Sequence, residues 1–167
     1  MIDNHGKQLW LAILFEIIGT TEDKHFLDLC CGEMTNTKEF KFTSHLGVDI
    51  LDWPNRPKHI EFEQADLRIW PGPKHHYDIV LCADGIEHFT KEEGSKLIRN
   101  MESWGALPII FTPIGFFKLG DPKTPMEHKS GWEPGEFKKQ GWETKEFPLW
   151  HSTLNLGAFF AWKPLLT

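Results

Sequence analysis

Short apolar runs alternate with helical apolar patterns along most of the chain, which predicts an α/β fold built on a mainly parallel sheet. Strands are expected at Phe26–Cys31, His45–Ile50, Ile60–Ala65, Tyr77–Ala83 and Leu107–Thr112. The run Tyr77–Ala83 (YDIVLCA) is apolar almost throughout, as a strand buried on both faces requires. The clearest helix follows it. Thr90 and Glu93 form a capping box, Leu97, Ile98, Met101 and Trp104 recur at helical spacing, and Gly105 ends the pattern. A first crossover helix is expected within Met34–Thr43, whereas Pro54 and Pro57 exclude a full helix between Asp52 and Lys58. Trp70–His76 reads as a turn-rich loop and Pro113–Trp132 as a long one rich in Gly and Pro. Glu133-Pro134 opens a short helix, and Trp142–Leu149 and Leu154–Trp162 pair as a hairpin across Trp150-His151-Ser152-Thr153. Leu9–Gly19 predicts an amphipathic helix packed on the domain. The expected architecture is a three-layer sandwich with a seven-stranded sheet and an antiparallel C-terminal hairpin. It is one domain over residues 1–167, an N-terminal cap (1–25) preceding the core (26–163).

Composition narrows the partners. The net charge is −6, and no basic run exceeds Lys138-Lys139, so there is no face suited to neutralising a phosphate backbone, which argues against duplex nucleic acid. The apolar stretch 9–19 contains Glu16 and is shorter than the roughly 20 residues that span a bilayer. It also lacks a signal-peptide cleavage pattern, and no membrane association is expected. Three cysteines, two of them adjacent, offer neither a disulfide framework nor zinc spacing, so a reducing cytoplasm is expected and no metal site is assigned.

In an open parallel sheet, ligands bind beyond the carboxyl ends of the strands. Those ends carry Asp28, Asp49, Asp66 and the group Asp84, Glu87 and His88, so four successive strands bring carboxylates to one rim. Asp49 follows Gly32 at the interval that suits hydrogen bonds to both ribose hydroxyls of a nucleoside cofactor. Asp66 is placed to accept from an adenine amino group. The chain has neither a GxGxxG pyrophosphate loop nor a Gly-x4-Gly-Lys-Ser/Thr phosphate loop, so adenosine without phosphate fits best.

FLDLCCGEM (26–34) resembles the first motif of class I S-adenosylmethionine (SAM)-dependent methyltransferases. LGVDI (46–50) is similar to their ribose-binding acid motif, EQADL (63–67) to their adenine-binding motif and YDIVLCADGIEHF (77–89) to their fourth motif. Order and spacing agree over residues 26–163. The resemblance implies a Rossmann-like fold and the cofactor SAM, converted to S-adenosylhomocysteine (SAH). It also implies cofactor contacts from Asp28, Cys30, Gly32, Asp49, Ile50, Asp66, Leu67, Ala83 and Asp84. Cys30 and Met34 stand where the family has glycine, and a Cβ at either position is expected to crowd the methionine part of SAM.

DGIEHF looks like enzymes acting on small molecules or sugars, not like the Asp/Asn-Pro-Pro-Tyr/Phe or Pro-Cys of DNA methyltransferases. The function implied is methyl transfer to an O or N of a small-molecule acceptor. His88 is the first candidate for a base or acceptor-orienting group. PMEHKSGWEPGEF (125–137) resembles a stretch of bacterial small-molecule methyltransferases, which by analogy brings His128, Ser130 and Trp132 to the acceptor. His75, His76 and His151 read as solvated loop residues. The alternatives are an NAD-dependent oxidoreductase, since Asp49 suits that ribose too, and a catalytically inactive SAM-binding or partner-binding module.

Overall fold

A computed structural model describes residues 4–151 and 156–164. The parallel strands β1 (His25–Leu29), β2 (Ser44–Asp49), β3 (Glu61–Gln64), β4 (Tyr77–Ala83) and β5 (Gly105–Pro113) form the body of the sheet. β6 (Glu143–His151) and β7 (Leu156–Trp162) form an antiparallel hairpin, and β7 joins β5 antiparallel. The spatial order is β3-β2-β1-β4-β5-β7-β6. The expected hairpin is therefore present, although residues 152–155 of its turn and the side chain of His151 lie outside the described residues.

Period-two alternation divides the strands between two cores. Phe26, Ile79, Leu81, Ile109, Phe111 and Phe160 pack with Trp10, Ile13, Leu14 and Ile18 of α1 (Asn4–Ile18). Leu27, Leu29, Val80, Cys82, Ile110 and Phe159 face the opposite side, against α2 (Lys91–Trp104) and Phe137 of α3 (Pro134–Lys138). Helices thus cover both faces of the sheet. No helix among the described residues is long and apolar enough to cross a membrane.

α2 begins where the sequence predicts. The Glu93 amide donates to the Thr90 hydroxyl (3.3 Å), and the Thr90 amide donates to the Glu93 carboxylate (2.9 Å). Thr90→Ala is expected to cost about 1 kcal/mol, lowering Tm by about 2–4 °C. Thermal denaturation followed by circular dichroism measures it, and an unchanged Tm would show that the cap is idle.

The first crossover helix is not formed, which corrects the expectation for Met34–Thr43. Only a 3-10 turn occurs, Thr37–Glu39. Met34 has φ +52, which cannot start a helix. The Thr37 hydroxyl donates to Asp28 Oδ2 (2.6 Å), a tertiary bond that competes with regular structure. Phe40 and Phe42 are spaced as on a strand, and Phe42 stacks on Phe26 with ring centroids 4.2 Å apart. α1 and this aromatic loop share the face that a crossover helix would cover.

Candidate active site

The first strand ends in a loop whose alternate residues are left-handed: Cys30 (φ 52), Gly32 (φ 53) and Met34 (φ 52). Two of the three carry side chains, each at a cost of about 1–2 kcal/mol relative to an unstrained backbone. Met34 borders the cavity, as expected, but the end of its side chain turns away from it. Its thioether methyl lies over Gly47 of β2, in the space a Cβ there would take, and the residue is 2% exposed. Cys30 packs against Gly85, whose Cβ would come within 2.6 Å of the Cys30 Cβ.

Asp49 ties this loop to the end of β2. Its Oδ2 accepts from the Gly32 amide (3.0 Å) and its Oδ1 from the Leu51 amide (2.9 Å). Each oxygen keeps a second lone pair, and the residue borders the cavity. Asp28 also borders it, accepting from Thr37, with His45 Nε2 3.7 Å away. Asp66 is clasped by Arg68, whose guanidinium donates to both carboxylate oxygens (2.6–3.0 Å). That contact holds the Asp66 carboxyl below the usual carboxylate range.

These strand ends enclose one cavity of about 310 Å³, within the size range of small-molecule sites. Asp28, Cys30, Gly32, Asp49, Ile50, Asp66, Leu67, Ala83, Asp84 and His88 all line it. α1 contributes Trp10, the β2–β3 connection Trp53, and the long loop Pro125, Met126 and Lys129. The sequence reading expected a cap over 1–25 and the 125–137 stretch at the acceptor, but singled out none of these five residues as walls. Trp10 is 19 residues upstream of the end of β1, and no local pattern distinguishes it from the other apolar residues of its helix.

After β4, Asp84 takes φ +46 and its amide donates to the Phe111 carbonyl (2.8 Å). Asp84 is exposed where it opens onto the cavity, and the protein atoms around it withdraw enough water to raise its carboxyl. Glu87 is 4% exposed; burial first, then repulsion from Asp84, raise it, while its Oε2 accepts from the Thr112 hydroxyl (3.0 Å). Burial lowers His88. It also lowers His128, to which the neighbouring His88 adds. A hydrogen bond with Cys82, then burial, raises the Cys30 thiol, and burial raises Cys31, so neither presents a thiolate nucleophile.

His128 stands behind His88, not on the cavity wall, with ring centroids 5.0 Å apart. Ser130 and Trp132 do not line the cavity either. The Ser130 hydroxyl is buried without a hydrogen-bond partner. Trp132 packs in the α2-side core, where a Cβ on Gly94 would come within 2.6 Å of its ring. The acceptor-facing reading of Ser130 and Trp132 is therefore corrected: the loop's Pro125, Met126 and Lys129 occupy that place. His75 and His76 are exposed, as expected.

No protein-family signature and no curated protein sequence matches the chain. Solved structures do. DhpI in complex with SAH aligns with a TM-score of 0.66 at 16% identity, covering 96% of this chain and 85% of that one. The Burkholderia thailandensis 1,6-didemethyltoxoflavin-N1-methyltransferase, with bound 1,6-didemethyltoxoflavin and SAH, aligns at 0.68 and 12% identity, over 96% and 78%. The magnesium protoporphyrin IX methyltransferase of Synechocystis with bound SAM aligns at 0.60 and 16%, over 96% and 81%. At these identities the likeness is one of fold.

Proposed function

We propose that this chain, which has the fold of the class I SAM-dependent methyltransferases, moves the methyl group of SAM to an oxygen or nitrogen of a small-molecule acceptor. One observation carries the reading: all nine residues that the sequence motifs nominate for the cofactor border a single cavity at the ends of β1, β2 and β4 and just beyond β3. The fit is chemical as well as spatial. Asp49 keeps one lone pair on each oxygen for a ribose edge, and the Trp53 indole N–H at the wall is buried without a partner. The nicotinamide alternative loses ground. Dinucleotide-binding sheets run 3-2-1-4-5-6, whereas here β7 is inserted antiparallel between β5 and β6.

In this reading Asp49 would hold the ribose, Asp66 and Leu67 the adenine once the Arg68 fork opens, and the 30–34 loop the methionine part. When bound, SAM supplies a methyl on a sulfonium whose positive charge is lost as the methyl leaves. Apolar walls from Trp10, Ile50, Leu67, Phe89 and Met126 exclude water and do not oppose that loss. Orientation by such a pocket contributes on the order of 7–11 kcal/mol. His88, kept neutral by burial, is suited to orient the acceptor or take its proton. Three free thiols fit a reducing, cytoplasmic setting.

Titration with SAM, SAH and NAD under thermal denaturation tests the proposal. A ligand at 100 times its Kd adds about 2.7 kcal/mol, which for this chain length raises Tm by about 5–11 °C. SAM and SAH are expected to do so and NAD is not. A response to NAD alone would transfer the reading to an oxidoreductase.

A further inference from the structure

The fold assembles a group that the sequence keeps 40 residues apart. One ligand atom each from Glu87, His88 and His128 lies within 4.8 Å of the others. We propose that these three side chains bind a divalent transition-metal ion beside the cavity.

The surroundings are built for it. Glu87 and His88 sit in one 3-10 turn, Ile86–His88, fixed between β4 and α2. The long loop is hooked onto the same turn: the amides of Lys129 (2.8 Å) and Ser130 (3.1 Å) both donate to the Glu87 carbonyl. The His128 amide donates to the Leu119 carbonyl (2.9 Å). Those bonds bring the third ligand into place. Glu87 commits Oε2 to the Thr112 hydroxyl, which leaves Oε1 as the oxygen to turn toward an ion. His88 Nδ1 lies 3.2 Å from the Glu127 carbonyl, the outer-shell contact that commonly orients a ligating imidazole and leaves its other nitrogen with the lone pair.

The buried carboxylate agrees with this. Such a group normally has a cationic partner. Among the described residues Glu87, 4% exposed, forms no ion pair with lysine or arginine. A bound cation would supply that partner.

Two imidazoles and one carboxylate select zinc, iron, manganese or cobalt over magnesium or calcium, which take oxygen ligands. Bonds of about 2.1 Å would draw the three donors closer than their present spread, within reach of side-chain rotation. With the ion bound, His88 would orient the acceptor rather than take its proton, and three protein ligands leave coordination positions open. His88 borders the cavity, so those positions suit a molecule bringing a hydroxyl or carboxylate oxygen; this acceptor class rests on the methyltransferase reading, whereas the metal site does not.

Protein stripped with EDTA and titrated with Co²⁺, followed by calorimetry and visible absorption, tests the site. One Co²⁺ per chain is expected, with ligand-field bands of an N/O-ligated ion. Glu87→Gln and His128→Gln should each weaken binding at least tenfold, with SAH titration reporting that both variants remain folded. The absence of saturable binding, or variants that bind as the parent does, overturns the site. Should Co²⁺ bind normally while neither the parent nor any variant binds SAM or SAH, the methyl-donor reading fails and the metal site stands.

Discussion

Replacing Asp49 by alanine is expected to weaken SAH binding by about thirtyfold to a thousandfold. The carboxylate is 8% exposed, and each of its oxygens already accepts a backbone amide, from Gly32 or Leu51. It therefore does two things at once. It holds the left-handed loop against the end of β2, and it presents its remaining lone pairs to the cavity. A lost hydrogen bond of this kind costs about 1–2 kcal/mol; two to a ribose edge give about 2–4 kcal/mol, at tenfold per 1.4 kcal/mol. Asp49→Asn separates the two roles. Its amide oxygen can still accept, but its NH2 cannot accept from Gly32 or Leu51, so an intermediate loss of about tenfold is expected. Calorimetric titration with SAH, well below the Tm of each variant, measures both. Parent-like affinity in Asp49→Ala would remove the ribose assignment and with it the orientation of any cofactor in the cavity.

The features legible in the sequence are those that local physics decides. β4 spans the residues its apolar run marks, because a strand buried on both faces admits little else. α2 starts at its capping box, because Thr90 and Glu93 satisfy each other's amides. The carboxylates converge because parallel strands end on one edge, so four local patterns fix one rim. Features set by long-range packing were hidden. Met34–Thr43 has the length of a crossover helix, but Thr37 bonds Asp28 and Phe42 stacks on Phe26, partners nine and sixteen residues away. Trp10 reaches the cavity only because α1 lies across the sheet on Phe111 and Phe160. His128 joins His88 and Glu87 through backbone bonds to the Glu87 carbonyl, which no spacing rule encodes. Trp132, four residues on, is drawn instead into the core by the bare face of Gly94.

Met34 and Gly47 are expected to behave as one unit. Met34→Gly would supply the residue that a left-handed φ favours, relieving about 1–2 kcal/mol of strain. It would also empty a buried side-chain site, which for a methionine costs about 2–5 kcal/mol. Packing wins, so the variant should lose about 1–3 kcal/mol of stability despite restoring the glycine of the motif that this loop resembles. Gly47→Ala alone places a Cβ into the Met34 thioether methyl and within 2.9 Å of the Cys31 sulfur. Both are ends of flexible side chains, so overpacking costs about 1–3 kcal/mol and does not prevent folding. In the Met34→Gly background the new methyl enters the vacated space, and the double variant should be more stable than the sum of the singles predicts by about 0.5–3 kcal/mol. Denaturant unfolding of the four proteins closes the cycle; strict additivity would show that Met34 and Gly47 do not share that space. SAH titration of Met34→Gly then separates packing from crowding. Met34 borders the cavity, but its thioether end lies over β2, so affinity should stay within a few-fold of the parent; a tenfold gain would mean that the remainder of the side chain obstructs the cavity.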